Sequence, residues 1–152
     1  MNFPYLRYAT RDGGIVYRPV VPVDLAGPDG EVDFYGLVDT GSDDSLIPRF
    51  VANELGLEID DGQITEVVGL GSERVAVASA QVELRISDGS ESVSWHATVG
   101  VVGTDEEDAD FVILGHNSCL DFFTAIFDGD HRLLQRAANS KLPRTSELAG
   151  ES

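Results

Sequence analysis

The stretch that most constrains this chain is residues 37–45, which read Leu-Val-Asp-Thr-Gly-Ser-Asp-Asp-Ser. A short apolar run ends there in the carboxylate of Asp39, and a hydroxyl and a glycine follow at once. A carboxylate at the end of a buried strand costs free energy unless other groups hold it. We therefore interpret Asp39 as an acid that the protein uses, with the neighbouring chain built around it.

Asp39-Thr40-Gly41 combines three groups that suit acid and base chemistry. A carboxyl group accepts or donates a proton according to its state. The threonine hydroxyl can fix a sharp turn by bonding to the backbone, and glycine lets backbone N–H groups come close because it lacks a Cβ. The alternative is a strand-ending turn in which Asp39 only caps its own backbone.

Length and charge limit the classes of function. A chain of 152 residues fits one domain with a single core. It carries 27 Asp and Glu against 10 Lys and Arg, a net charge of -17. Nucleic acids and anionic membranes bind basic surfaces, so we expect neither as a partner.

Cysteine and histidine usage predicts no metal and no cofactor. Cys119 is the single cysteine, which excludes an intrachain disulfide. His96, His116 and His131 are scattered and lack metal-ligand spacing. The chain also lacks a signal-peptide pattern and an apolar run near the ~20 residues of a membrane span, so we expect a cytoplasmic protein.

Alternating apolar residues and turn signals predict a mostly-β domain over residues 14–136. A hairpin of residues 15–25 and 32–38 would deliver Asp39 at its end. Residues 1–13 are set apart as an N-terminal segment, and residues 137–152 are expected to form a disordered tail. The other expected elements are a short helix within 46–57, strands at 63–68, 74–86, 92–102 and 111–114, a helix at 117–122 capped by Asn117, and a hairpin around residues 128–130.

Three motifs in order resemble the retropepsins, the protease family of retroviruses and its cellular relatives. Residues 36–45 resemble the family's active-site loop, and residues 112–117, Val-Ile-Leu-Gly-His-Asn, resemble its second signature. Residues 121–130 resemble the C-terminal hairpin of pepsin-type enzymes. The resemblance implies a closed, acid-protease β-barrel with one or two short helices, and an aspartic endopeptidase activity.

The resemblance also implies roles for individual residues. Asp39 would be the catalytic carboxylate, Thr40 would join a hydroxyl network between subunits, and Gly41 would carry backbone close to the substrate. Residues expected to contact substrate in the adjoining subsites are Ser42, Asp43 and Asp44. The second signature, expected to support this loop, comprises Ile113, Leu114, Gly115, His116 and Asn117.

A further motif matches the position of the family's flap, the hairpin that closes over bound peptide. Its residues are Val68, Gly69, Leu70 and Gly71. The alternative for this glycine-bearing stretch is an ordinary β-turn.

Asp-Thr-Gly occurs once in the chain, whereas two carboxylates must meet to share one proton, as aspartic proteases do. We therefore expect a homodimer with the site on its two-fold axis. Its substrate would be a peptide or an unfolded protein. The alternative is a catalytically weak module of the same fold that binds peptide or dimerises.

Two departures from the family pattern carry expectations of their own. His116 stands where retroviral enzymes commonly have arginine, which predicts a His116–Asp43 pair that strengthens at lower pH. No dimerising strand is recognisable after Arg136.

Overall fold

The computed structural model describes residues 1–68, 74–103 and 111–143. Within these residues it has twelve strands, one α-helix and one 3-10 helix. The strands are β1 (Asn2–Pro4), β2 (Leu6–Ala9), β3 (Ile15–Arg18), β4 (Val20–Gly27), β5 (Gly30–Val38), β6 (Leu46–Pro48), β7 (Asp60–Val68), β8 (Arg74–Ser87), β9 (Ser92–Val102), β10 (Val112–Leu114), β11 (Phe123–Asp128) and β12 (Leu133–Ala138). Helix α1 is Arg49–Glu54, and the 3-10 helix is Leu120–Phe122.

Six strands close into a barrel. They are hydrogen-bonded in the order β4-β5-β10-β6-β9-β8, and pairing of β8 with β4 closes the ring. Strand β7 extends this sheet as the partner of β8. Strands β1, β12 and β11 form a separate three-stranded sheet, and β2 pairs with β3. The predicted mostly-β closed barrel with one or two short helices is confirmed.

The barrel interior is built from strands that alternate inward and outward side chains. On β9, Trp95, Ala97 and Val99 point into the core, as their spacing predicts. Trp95 is fully buried, and its indole N–H donates to the Ser118 carbonyl at 2.7 Å. That bond satisfies the polar end of a side chain whose burial contributes a large apolar area.

Strand β8 serves two apolar clusters. Val82, Leu84 and Ile86 are buried in the main core. Val77, of opposite parity, belongs to a smaller cluster whose other members are Leu46, Val102 and the half-buried Ile113. The shift of the apolar positions along residues 74–86 therefore reflects two environments met by one long strand.

The helical segments are shorter than the sequence predicts. Leu46–Pro48 forms strand β6, so α1 begins only after Pro48, whose φ of -68° is ready for a helix start. Gly56 follows the helix with a φ of +69°, the left-handed conformation that commonly ends a helix. In the described part of the chain, each helix falls well below the length and apolar character needed to cross a bilayer.

Both ends of the chain differ from expectation. Within the expected N-terminal segment 1–13, β1 pairs with β12, and Phe3 is buried in the core. The expected tail is wrong for residues 137–143, because β12 continues to Ala138 and Leu142 is buried. The pairing of β1 with β12 accounts for both differences. Local sequence patterns do not show it, because the paired residues are more than 120 positions apart. Strand β12 also supplies the β-structure after Arg136 that no sequence pattern revealed.

Arg136 lies inside this C-terminal sheet and is 2% exposed. Its guanidinium lies 4.0 Å from the ring centroid of Phe123, and Nη2 donates to the Cys119 sulfur at 3.4 Å. Nε and Nη1 have no hydrogen-bond partner among the residues that the structure describes. A buried charge with so few partners opposes folding.

We therefore expect Arg136→Met to raise the free energy of unfolding by about 1–4 kcal/mol, because an apolar side chain avoids the desolvation cost. Urea denaturation measures the change. Arg7→Met, which removes an exposed arginine, is the control and should change the value by less than about 0.5 kcal/mol. A fall for Arg136→Met of more than about 1 kcal/mol would contradict this account of the guanidinium.

Asp88 ties the β8–β9 turn to the N-terminal strand. Its carboxylate accepts backbone N–H bonds from Glu91 at 2.8 Å, Asn2 at 2.9 Å and Ser90 at 2.9 Å. These bonds, that of Glu91 foremost, lower the pKa of Asp88 to about 2. A lowered carboxyl pKa stabilises the fold above the ordinary value of 3.8, and the stabilisation is lost as the pH falls toward 2.

We expect Asp88→Asn to lower the urea midpoint at pH 7, and the difference from wild type should shrink as the pH falls from about 4 to about 2. Urea titrations over a pH series measure this. Asp130→Asn, which changes a side chain that is 93% exposed, removes the same charge and serves as the control. A difference independent of pH would show that the ionised carboxylate is not the stabilising group.

Candidate active site

The two signature motifs meet at one edge of the barrel. Strands β5 and β10 are parallel, with Val38 opposite Leu114, so their carboxyl ends lie side by side. The backbone N–H of Asp39 donates to the Leu114 carbonyl at 3.1 Å. This pairing carries Asp39 and Gly115 to adjacent positions, although 75 residues separate them in the sequence.

The loop that follows β5 folds back on Asp39. The Gly41 N–H donates to Asp39 Oδ1 at 2.9 Å, and the Ser42 N–H donates to the Asp39 carbonyl at 3.2 Å. The Asp39 side chain is half-buried, whereas Thr40 and Gly41 are exposed. Asp39 thus does cap its own backbone, and the same bond fixes the direction of its carboxylate at the surface.

The second signature supports this loop through the backbone. The His116 N–H donates to the Ser42 carbonyl at 3.0 Å, and the Asn117 N–H donates to the Asp43 carbonyl at 2.8 Å. Each bond satisfies a loop carbonyl that would otherwise depend on solvent. The segment predicted to pack beside the Asp39 loop is therefore bonded to it directly.

Ser45, which the sequence analysis did not assign to the site, joins the two motifs from inside. It is 2% exposed. Its hydroxyl accepts the Gly115 N–H at 3.1 Å and donates to the Asn117 carbonyl at 2.9 Å. The sequence feature that could have indicated this role is the position of Ser45 at the end of the polar cluster, directly before the apolar residues of β6. A hydroxyl buried at that point needs hydrogen-bond partners.

The expected helix at residues 117–122 with an Asn117 cap is wrong. Regular helix is confined to the 3-10 turn Leu120–Phe122. The Asn117 side chain instead donates to Asp44 Oδ1 at 3.0 Å. An asparagine amide can bond to a neighbouring loop as readily as to its own helix, and here the loop is the nearer partner.

His116 does not make the expected pair with Asp43. Its Nε2 lies 2.8 Å from the Thr40 carbonyl oxygen, a contact in which the nitrogen donates. Its Nδ1 lies 3.9 Å from Asp121 Oδ1. The imidazole is shorter than an arginine side chain, and it bonds to the carbonyl of Thr40, the residue that follows Asp39.

Gly115 is required because two carbonyls occupy the space of a side chain. A Cβ at this position would lie 2.3 Å from the Asp44 carbonyl oxygen and 2.6 Å from that of Ser42. Both contacts are with backbone, which cannot move aside without breaking the hydrogen bonds of the loop.

An apolar groove lies on the outer face of the sheet, and Leu37, two residues before Asp39, is part of its lining. Tyr35, Leu37 and Asp39 have the same parity along the chain, so they share one face of it. Ile113 lies opposite Leu37 on β10, which brings Phe111 to the same face. A cavity of about 330 Å³ lies there, lined by Tyr8, Arg18, Val20, Phe34, Tyr35, Leu37, Phe111 and Val112. The sequence analysis missed this groove, although the parity of residues 35 and 37 with Asp39 was visible.

The predicted flap motif lies mostly outside the described residues. Gly69, Leu70 and Gly71 are among the residues not described. On either side, β7 and β8 pair antiparallel, with Val68 opposite Arg74. Two paired strands thus flank the predicted position, and the closing role stays a prediction.

One acidic group among the described residues has carboxylates close enough to share a cation: Asp24, Glu31 and Asp33. Arg85 already occupies it, donating to Asp24 at 2.6 Å and to Glu31 at 2.8 Å. Hydrogen bonding with Asp24 raises the pKa of Asp33. These residues act as an ion-pair cluster on the outside of β4 and β5.

Close packing at Gly115 makes a direct test. We expect Gly115→Ala to lower the free energy of unfolding by about 3 kcal/mol, because the new methyl group meets two backbone carbonyls. Gly129→Ala is the matched control, since a Cβ there meets nothing within 4 Å. Urea denaturation of both variants gives the comparison, and equal stabilities would contradict the packing described above.

A search of curated protein sequences finds no significant match. Among solved structures, the chain is similar to EIAV protease complexed with an inhibitor, at 22% identity over 65% of this chain and 82% of that one, with a TM-score of 0.40. A retropepsin-like aspartic protease from Rickettsia conorii gives 21% identity, coverage of 91% and 94%, and a TM-score of 0.45. The retroviral protease-like domain of Ddi1 from Leishmania major gives 15% identity, coverage of 82% and 93%, and a TM-score of 0.43.

The family profile described as aspartyl protease matches residues 21–117. This match spans β4 to the end of the second signature and so includes both motifs that meet at Asp39. The chain belongs to the aspartyl protease family.

Proposed function

We propose that the chain is an aspartic endopeptidase that works as a homodimer. A water molecule activated between two Asp39 carboxylates would hydrolyse the peptide bond. The observation that carries the proposal is the Asp39 carboxylate itself, half-buried at the end of β5 and oriented by the Gly41 N–H at 2.9 Å. It lies within the segment that matches the family.

The second carboxylate comes from a second copy. Asp-Thr-Gly occurs once in the chain, and of the two acids that follow it, Asp44 has its carboxylate engaged by the Asn117 amide. Two copies related by a two-fold axis would each supply one Asp39. Within ~3 Å of each other, the two carboxyl groups would share one proton.

The shared proton divides the roles of the pair. The ionised Asp39 takes a proton from water, whose oxygen forms a bond to the peptide carbonyl carbon, while the protonated Asp39 donates to the carbonyl oxygen. A proton then passes to the amide nitrogen as the C–N bond breaks. Peptide and water are converted to a carboxylic acid and an amine, and the pair returns to its starting protonation.

The surrounding residues suit these steps. Thr40 has its carbonyl fixed by His116, which leaves its hydroxyl for the network between subunits. Gly41 exposes backbone beside the acid. The Ser42 hydroxyl donates to the Asp44 carbonyl at 2.7 Å, so we assign Ser42 to loop support and substrate contact to Asp43 and Asp44. Val68, Gly69, Leu70 and Gly71 would close over the peptide.

The groove that Leu37 lines indicates which peptides fit. Its aromatic and aliphatic lining and its volume of about 330 Å³ suit one large apolar side chain. A peptide in the groove would have its scissile bond near Asp39, because Leu37, which lines the groove, lies only two residues before Asp39. We therefore expect cleavage next to large apolar residues of unfolded proteins.

Asp39→Asn tests the proposal. We expect at least a 100-fold loss in the rate of cleavage of an unfolded, carboxymethylated protein, because an amide can neither accept nor donate the shared proton. Mass spectrometry of the fragments gives the rate and the cleavage positions. Asp130→Asn, which removes an equally charged but 93% exposed side chain, is the control and should cleave as wild type does.

The molecular mass is measured on the same samples, and Asp39→Asn should leave the dimer intact. Equal cleavage by wild type and Asp39→Asn would contradict the proposal. A wild-type dimer that binds peptide without cleaving it would also contradict it, and would favour a catalytically weak binding module.

A further inference from the structure

The hairpin of β2 and β3 is a basic part of an acidic protein. The chain as a whole has 27 acidic residues against 10 basic ones, but residues 1–23 contain a single acid, Asp12. The Asp12 carboxylate accepts from the Thr10 hydroxyl and the Gly14 N–H within the turn of the hairpin. The same stretch contains three exposed arginines, which are Arg7, Arg11 and Arg18.

The arginines of the hairpin differ from Arg49 and Arg85 in their partners. Arg49 pairs with Asp61 at 3.0 Å, and Arg85 pairs with Asp24 at 2.6 Å. Within the part of the chain that the structure describes, no carboxylate forms an ion pair with an arginine of the hairpin. An exposed guanidinium that no carboxylate neutralises keeps its positive potential, so the hairpin attracts negatively charged groups.

One face of the hairpin combines positive charge with apolar surface. Arg7 lies directly opposite Tyr17. Ile15, which is 53% exposed, precedes Tyr17 by two residues on β3, so the three side chains share a face. The guanidinium of the exposed Arg132, from the turn between β11 and β12, lies 3.6 Å from the Tyr17 ring centroid and adds a second charge. We call Arg7, Ile15, Tyr17 and Arg132 the basic face.

The opposite face of the hairpin belongs to the groove. Tyr8 and Arg18 line the same cavity of about 330 Å³ as Leu37, which precedes Asp39 by two residues. The hairpin is therefore one wall of the groove in which the proposed substrate would lie. It is a sheet of two strands, and among the described strands neither of its outer edges has a ladder partner. An extended peptide that crosses this wall has backbone groups to bond with.

We propose that the basic face binds an acidic segment of the polypeptide that the protein cleaves. Carboxylates of the segment would lie against Arg7 and Arg132, and an apolar side chain between them would contact Ile15. With a net charge of -17, the rest of the protein repels such a segment, so the hairpin gives it a place to approach. The inference rests on the proposed function, because that function makes the bound segment part of a substrate.

Charge also favours a peptide over a nucleic acid. A nucleic acid carries a negative charge at every phosphate, so it would extend from the hairpin onto acidic surface. A peptide segment can confine its carboxylates to the basic face and follow them with neutral residues. Its apolar side chains also match Ile15 and Tyr17, which offer nothing to a phosphate.

Fluorescence anisotropy of a labelled peptide of glutamate and leucine tests the binding. All proteins carry Asp39→Asn, so that the peptide stays intact. Arg7→Glu is compared with Lys141→Glu, because both side chains are exposed and each substitution changes the net charge equally. At low ionic strength we expect Arg7→Glu to raise the peptide dissociation constant at least about fivefold and Lys141→Glu to change it less than about twofold. Arg7→Lys, which keeps the charge, should bind as the parent does.

Four outcomes would overturn the docking face. They are equal weakening by Arg7→Glu and Lys141→Glu, equal binding of a peptide with glutamine in place of glutamate, tighter binding of a single-stranded DNA oligonucleotide than of the glutamate peptide, and an Arg7→Glu variant that changes self-association in sedimentation velocity but not peptide binding. Circular dichroism confirms that each variant is folded.

Cleavage is measured separately with Asp39 intact. Two peptides share a pair of phenylalanines and differ only in a flanking run of glutamates or glutamines. We expect a lower KM and an equal kcat for the glutamate peptide, and Arg7→Glu should remove the difference in KM. Equal KM values in the wild type would refute the docking face and leave the proposed function standing. Glutamate-dependent binding without any cleavage would refute the proposed function and leave the binding surface standing.

Discussion

The structure depends on the contact between Gly115 and the loop that follows Asp39. Two loop carbonyls, those of Ser42 and Asp44, approach Gly115 more closely than any Cβ would allow. The buried hydroxyl of Ser45 bonds to both sides of this contact. Parallel pairing of β5 with β10 brings the two segments together, and closure of the barrel through β4 and β8 holds β5 in position. The barrel therefore acts as a frame that presents one carboxylate in a fixed direction.

What the frame presents is half of a site. Asp39 is oriented by its own backbone and follows Leu37, which lines an apolar groove, by two residues, and the Asp44 carboxylate accepts from the Asn117 amide. In the proposed enzyme the second half comes from another copy. Net charge of -17 makes association of two copies unfavourable over most of the surface.

The sequence predicted those parts of the molecule whose signals are local. The alternation along β9 and the turn before β5 predicted these two strands. The order of the motifs predicted the barrel and the place of Asp39 at the end of a strand. Two features were not predictable in the same way. The Asn117 amide bonds to Asp44, a residue 73 positions away, instead of capping its own helix. Strand β1 has only three residues, too few to show a periodicity, and it pairs with β12 at the other end of the chain. The groove was predictable only in part. The shared parity of Tyr35 and Leu37 indicates one face of β5, but the cavity also needs Phe111, which directly precedes β10.

The distance between the two Asp39 carboxylates in a crystal structure of the assembled protein tests the central claim most directly. A completed site requires the nearest carboxylate oxygens to lie within ~3 Å of each other, close enough to share a proton. An assembly in which these oxygens are more than ~6 Å apart would contradict the claim that two copies of residues 37–45 form one active site.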